Sequence, residues 1–181
     1  DILRGLSAAG VDVSCIAADA SDESSLTEAI HRLQPEAGDT EMLAYNAVSP
    51  TFGKPTTLTP AKLVEDFRVN VAGGLAAALA VVPAMRARKS GCILFTGGGW
   101  AHYPWDEAAS IGIGKAGLRN LAATLSQELA GDGVRVGMVS IMGQVAPGTP
   151  FDPAKIGEAF LRAYYSPANE FKSEVLFKGA A

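Results

Sequence analysis

The feature that most constrains this chain is a regular alternation of short apolar runs with longer stretches of helical spacing. "EMLAYNA" (41–47), "GCILFTG" (91–97) and "GVRVGMVSI" (133–141) have strand length and carry apolar residues at consecutive positions. "VDVSCIAAD" (11–19) reads the same way, and "SEVLFKG" (173–179) reads as a last strand. Unbroken apolar runs, rather than strictly alternating ones, suit strands covered on both faces. The intervening stretches repeat apolar residues every three or four positions and carry helix-end signals. Residues 1–9 read as the end of a helix stopped by Gly10. Ser21 or Asp22 can cap the next helix, in which Leu26, Ile30 and Leu33 share a face. Gly38 and Asp39 form the following turn. Thr59 and Pro60 open a long helix over 60–88 as N-cap and first residue, and Pro83 is expected to kink it. Further helices are expected over 108–130 and 154–165, the latter with Asp152 as cap.

Strand and helix in turn over the whole length predict parallel strands joined by crossover helices. The expected fold is a Rossmann-like, doubly wound α/β domain in three α/β/α layers, one domain over 1–181. The chain opens on Asp1 in what reads as mid-helix, so it reads as N-terminally incomplete, with a first βαβ unit missing.

Composition removes other classes. Formal net charge is −4 and no tight basic cluster occurs, so the electrostatic footprint of a nucleic-acid binder is missing. The longest apolar run, 72–85, is shorter than the roughly 18 residues a bilayer span needs, and reads as a buried helix. No membrane partner is expected. Cys15 and Cys92 each fall in a strand-like run and read as reduced core residues, which fits the cytoplasm. No histidine, cysteine or acid cluster has metal-ligand spacing, and His31 reads as a surface residue.

Several short motifs, taken in order, resemble the short-chain dehydrogenase/reductase family. Asp19, after the first strand-like run, matches the aspartate that meets the cofactor's adenine, with Ala20 beside it. "YNA" (45–47) resembles the family's Asn-Ala-Gly and places Asn46 and Ala47 at the cofactor, with Val48 where the glycine would stand. "RVNVAG" (68–73) resembles the segment carrying the active-site asparagine, which makes Asn70 its match. Lys115 matches the active-site lysine. "APG" (146–148) resembles the Pro-Gly near the nicotinamide and points to Pro147 and Gly148. A plainer reading stands beside each: Asp19 as a helix-entry residue, Asn46 as a turn former, Asn70 as a polar core residue, Pro147-Gly148 as a turn, and Lys115 as a solvated helix lysine.

The resemblance implies an oxidoreductase that uses NAD or NADP, the choice being unreadable here. In the family a tyrosine four residues before the lysine exchanges a proton with the substrate oxygen, and a serine thirteen residues before the tyrosine holds that oxygen. Those positions are Ile111 and Gly98. Isoleucine has no proton to give and glycine has no hydroxyl; losing a general acid typically costs about 10²–10⁴ in rate. Ser110 is one position off, and Thr96 lies too deep on its strand. Within "WAHYPW" (100–105), Tyr103, ahead of His102, is the candidate for an unusual acid, unless the loop is simply an aromatic packing element. The glycine-rich turn that holds the pyrophosphate in the family has no match in this sequence; "GLSAAG" (5–10) follows no strand. The lysine has a second task in the family, bonding the nicotinamide ribose, and that task outlives the tyrosine. Two functions follow: an oxidoreductase with a non-standard site acting on a small carbonyl or alcohol, or a catalytically inactive dinucleotide-binding or scaffold protein. Family members pair through their two long helices, here 60–88 and 108–130, so a homodimer or homotetramer is expected.

Overall fold

A computed structural model describes residues 2–37 and 40–179. The turn expected at Gly38-Asp39 and the chain's first residue lie outside the described residues. Among these residues four strands, β1 (Met42–Tyr45), β2 (Gly91–Gly98), β3 (Val134–Ile141) and β4 (Glu174–Phe177), form one sheet in the order β1-β2-β3-β4. Every pairing is parallel, with Leu43 opposite Ile93, Phe95 opposite Met138 and Ser140 opposite Leu176. Successive strands therefore add on one side, each after a crossover helix.

Among the described residues six α-helices accompany the sheet: α1 (Ile2–Ala8), α2 (Glu23–Ala37), α3 (Pro60–Phe67), α4 (Gly73–Arg88), α5 (Ala109–Leu129) and α6 (Pro153–Tyr165). The strand pleat sorts them into layers. Ile93 and Phe95 of β2, with Val136 and Met138 of β3, pack against Ala78, Val81 and Met85 of α4 and Leu118, Ala122 and Leu125 of α5. Leu26 and Ile30 of α2 join that layer. On the other face, Cys92 and Leu94 meet Ala163 of α6, and Val139 and Phe177 meet Ile156 and Ala159. The three layers expected from the sequence are present.

Cap chemistry follows the sequence. Thr59 Oγ1 accepts from the Lys62 amide at 3.1 Å, Asp22 Oδ1 from the Ser25 amide at 2.9 Å, and Asp152 Oδ1 from the Ala154 amide at 2.9 Å. Gly10, at φ +77°, sits just past α1 as the stop residue should.

Two expectations fail. Residues 11–19 form no strand and are mostly exposed, because β-structure needs a ladder partner and none pairs with this run among the described residues. Cys15 is accordingly exposed rather than in the core, whereas Cys92 is buried and its thiol is pushed up to about 11 by burial. The interruption of the 60–88 helix also falls elsewhere. Pro83 lies inside α4, while the break is a π-helical segment, Arg68–Ala72, between α3 and α4. A π segment shifts the backbone ladder and frees carbonyls for other partners; here the Tyr45 hydroxyl donates to the Val69 carbonyl. By length and composition the run Pro60–Arg88 is apolar enough to cross a bilayer, but half of its most apolar window is buried inside the protein, on the core just described.

Candidate active site

The C-terminal ends of β1, β2 and β3 open onto three loops, and in open α/β sheets ligands bind outside the strand C-termini. Lys115 sits on the second turn of α5, partly buried, and its Nζ donates to the Thr96 carbonyl of β2 at 2.7 Å. Burial drives its pKa down from the usual 10.5 to about 8. The side chain runs along Gly98: a Cβ there would stand 3.8–4.0 Å from Lys115 Cγ, Cε and Cδ, ordinary contact distance. Gly98, which the sequence resemblance matched to a serine, thus borders the lysine stem. Ile111, which it matched to a tyrosine, is buried.

Asn70 occupies the π segment and is buried. Its Oδ1 accepts from the Ser49 amide at 2.7 Å, and its Nδ2 donates to the Ser49 carbonyl at 3.4 Å. From the other side Gly114, next to Lys115, presses on it; a Cβ at Gly114 would lie 2.7 Å from Asn70 Cβ. The two family-matched polar residues, Asn70 and Lys115, are therefore carried by elements in direct contact.

The remaining sequence candidates are more peripheral. Asp19 is exposed and accepts from the amide and hydroxyl of Ser21 at 2.8 and 2.7 Å, chiefly the amide holding its carboxyl below the ordinary range. Its amide bonds Ser25 Oγ at 3.0 Å, so it does serve helix entry. The carbonyl of Ala20 abuts Gly73, where a Cβ would come within 2.3 Å of it, so the Asp19–Ala20 loop rests on the start of α4. Asn46 is exposed and Ala47 partly buried against the α2/α4/α5 core. Pro147 and Gly148 form an exposed turn well past β3, with Gly148 at φ +72° and its amide donating to Asp152 Oδ2 at 2.6 Å.

The aromatic loop divides its residues. Tyr103 is 72% exposed. His102 Nε2 lies 2.8 Å from Glu174 Oε1, the same oxygen that receives the buried Ser140 hydroxyl at 2.6 Å, while Arg119 Nε donates to Oε2 at 2.8 Å. Burial would raise the Glu174 pKa, but the donors Ser140, Arg119 and His102 outweigh it and hold the carboxyl below the usual range. Trp100 and Trp105 stack at 5.4 Å, with Phe52 edge-on to both. Packing of the loop against Phe52 is backed by Gly53 N to Glu107 O at 2.7 Å and by Lys54–Glu107 at 3.2 Å.

Sequence reasoning missed Asp66, on the last turn of α3 and wholly buried. It accepts from Ser110 Oγ (2.6 Å), Ser49 Oγ (2.7 Å), Thr51 Oγ1 (3.0 Å) and Lys62 Nζ (3.0 Å). Burial would raise its pKa, yet these four donors bring it down to about 2. The signal available was an acid in a helix whose i−4 neighbour is a lysine, which more commonly marks a solvated pair.

Known proteins share this arrangement of strands and helices. Residues 1–149 match the family model for short chain dehydrogenase. The 2,3-dihydro-2,3-dihydroxybenzoate dehydrogenase of Escherichia coli (strain K12) is 29% identical over 122 residues, which is 67% of this chain and 49% of that protein. The D-xylose 1-dehydrogenase of Caulobacter vibrioides is 30% identical over 109 residues, 60% of this chain and 44% of that protein. The chain thus spans about half the length of these curated relatives. A metagenomic short-chain oxidoreductase solved in complex with NADP superposes with a TM-score of 0.85 at 26% identity, covering 96% of this chain and 77% of that one. A short-chain dehydrogenase from Rhodopseudomonas palustris gives 0.86 at 20% identity, over 96% and 78% of the two chains, a likeness of fold. With its family model matched over most of its length and its asparagine and lysine on adjoining helices at the strand ends, the chain belongs to the short-chain dehydrogenase family.

Proposed function

We propose that the protein is an NAD(P)-dependent oxidoreductase that moves hydride between a nicotinamide and a small carbonyl or alcohol, with proton handling unlike that of most of its family. The observation that carries this reading is Lys115, held by Thr96 at the open end of the sheet although the tyrosine position is isoleucine. The residues there fit the ribose half of a dinucleotide. An ammonium has three donors; Thr96 takes one and two remain for a pair of ribose hydroxyls. Asn46, Ala47, Pro147 and Gly148 would border the same ligand, and Asp19 with Ala20 its adenine end. No residue is assigned to the pyrophosphate, since no glycine-rich turn between a strand and a helix occurs among the described residues. The NADP of the metagenomic relative supports a dinucleotide without choosing between NAD and NADP for this chain.

When bound, the dinucleotide supplies or receives the hydride. The chain's own part is the proton, and Ile111 and Gly98 provide none. Tyr103 at the loop tip is one candidate donor; Lys115, titrating near 8, is the other. The test is titration with NADH and NADPH followed by turnover on a panel of small carbonyls, with wild type set against Tyr103→Phe and Lys115→Ala. Dinucleotide binding without turnover would favour the non-catalytic binding or scaffold protein. Absence of binding would sink the oxidoreductase and leave the scaffold protein.

A homodimer or homotetramer through the long helices belongs to the same proposal. Val64, Phe67, Leu75 and Leu79 of α3–α4 and Ile113 of α5 are large apolar residues left exposed on those helices. Cytoplasmic residence is proposed from the two free thiols.

A further inference from the structure

We infer that Asp66 is a positioning residue: its carboxylate fixes the side chain of Asn70 and the first turn of α5, and through them Lys115. The purpose of that arrangement rests on the function proposed above; the arrangement itself does not.

Asp66 is 0% exposed. A lone buried carboxylate costs several kcal/mol, so its retention calls for partners of good geometry. Those partners come from three separate places. Ser49 and Thr51 lie on the loop after β1, Ser110 on the first turn of α5, and Lys62 one turn back on α3. One oxygen, Oδ2, receives Ser110; the other, Oδ1, receives the other three.

Ser49 is the link to Asn70. Its hydroxyl goes to Asp66, while its amide and carbonyl hold both ends of the Asn70 carboxamide. Turning Ser49 would turn Asn70. The α5 side is held in parallel. Ala108, the residue at the N-cap position of α5, makes no side-chain cap, so the Ser110 hydroxyl bond to Asp66 is a side-chain tether of that helix start. One turn further on, Gly114 presses on Asn70 and Lys115 reaches Thr96. Asp66 thus closes a ring through Ser49, Asn70, Gly114 and Ser110.

The chemistry requires an acid at this position. Four donors converge on two oxygens, and an ionised carboxylate is acceptor-only with about four lone-pair sites. Asparagine has the same size but only one acceptor oxygen: with that oxygen facing Ser49, Thr51 and Lys62, its N–H₂ meets Ser110, whose hydroxyl must turn from donor to acceptor. The charge that binds Lys62 and shortens the serine bonds is then gone, and the hold on Ser49 and Ser110 slackens.

The experiment uses uniformly ¹⁵N-labelled protein without ligand. The reporter is the side-chain amide pair of Asn70, assigned by its disappearance in Asn70→Asp. Asp66→Asn and Ser49→Ala are each expected to shift or broaden that pair, and Ser110→Ala to shift the backbone amides of 110–115. Ile156→Ala, in the core on the opposite sheet face, is expected to lower the melting temperature and leave the Asn70 pair in place, which separates positioning from general loss of stability. NADH or NADPH affinity, where wild type shows it, is expected to fall about 3- to 10-fold in Asp66→Asn. An unmoved Asn70 pair in a folded Asp66→Asn protein would overturn the inference. Should that variant not fold, the milder Ser49→Ala and Ser110→Ala changes decide the question by the same signals. A wild type that binds no dinucleotide removes the proposed function and leaves the amide signals to judge the positioning alone.

Discussion

Lys115 runs along Gly98 and donates to the backbone carbonyl of Thr96 at 2.7 Å, so the lysine is anchored by the sheet itself. Its pKa near 8 shows that its charged form is disfavoured in the folded protein. Between about pH 8 and 10.5 the unfolded chain binds a proton that the folded chain does not, so this group's contribution to stability rises with pH across that window. Below pH 8 the buried charge is at its most costly. Lys115→Met is therefore expected to raise the melting temperature at pH 7 by about 2–4 °C, equivalent to roughly 1 kcal/mol. The gain should shrink as pH approaches 10.5, and dinucleotide affinity should be lost. Calorimetry across pH and a fluorescence titration check the two halves.

Gly98 and Gly114 flank the same lysine and should respond oppositely. A Cβ at Gly98 meets only ordinary contacts, so Gly98→Ser is expected to fold with a stability change within about 0.5 kcal/mol. Gly114→Ala drives a methyl into Asn70, with 2.7 Å available to the Asn70 Cβ, and is expected to cost about 1–3 kcal/mol. Denaturant unfolding of the two variants is the measurement; equal stabilities would contradict the packing described.

Asp66 makes a separate prediction in acid. Its folded pKa of about 2 lies below the ordinary aspartate value of 3.8, so its stabilising contribution is complete above pH 3.8 and is lost as pH falls toward 2. Wild type should lose melting temperature over that interval more steeply than Asp66→Asn, whose curve starts lower and lies flatter. Parallel curves would show that the carboxylate gains no proton there.

Glu174 ties β4 to the aromatic loop through His102 and to α5 through Arg119. Glu174→Gln removes the charge that three donors share and puts an N–H₂ among them. Hydrogen exchange over residues 99–108 is expected to quicken severalfold, while exchange in β2 stays slow. Unchanged exchange in the loop would show that the stacking of Trp100, Trp105 and Phe52 holds it without the carboxylate.

The exposed stripe on the long helices yields a further variant. Leu79→Glu places a charge at a residue 54% exposed, too open to disturb the core. In the proposed oligomer it should give a smaller species by light scattering at unchanged helicity. A wild type already monomeric would remove the stripe from consideration.

What could be read in the sequence was what depends on near neighbours. Thr59, Asp22 and Asp152 cap because the groups they serve lie two or three residues away. β2 and β3 are legible because both their faces are covered, so the apolar run is unbroken. Three things depended on distant partners and were not legible. Residues 11–19 have strand composition but no ladder among the described residues. The helix breaks at Arg68–Ala72, not at Pro83, in a segment whose Val69 carbonyl bonds Tyr45 and whose Asn70 bonds Ser49, both from the β1 side. Asp66 went unnoticed, because its donors other than Lys62 lie 15 to 44 positions away in sequence. Asn70 and Lys115 were both picked out by motif order, and the structure places them on elements that touch.

The two thiols carry a practical consequence. Maleimides react with the thiolate, and Cys92, buried in β2 and titrating near 11, offers about one thiolate in ten thousand molecules at pH 7. Cys15 is open to solvent just ahead of Asp19. A fluorophore coupled to residues 1–181 will therefore settle at Cys15, on the approach to the loop proposed for the adenine end, and its emission can report ligand arrival with neither cysteine of this stretch exchanged.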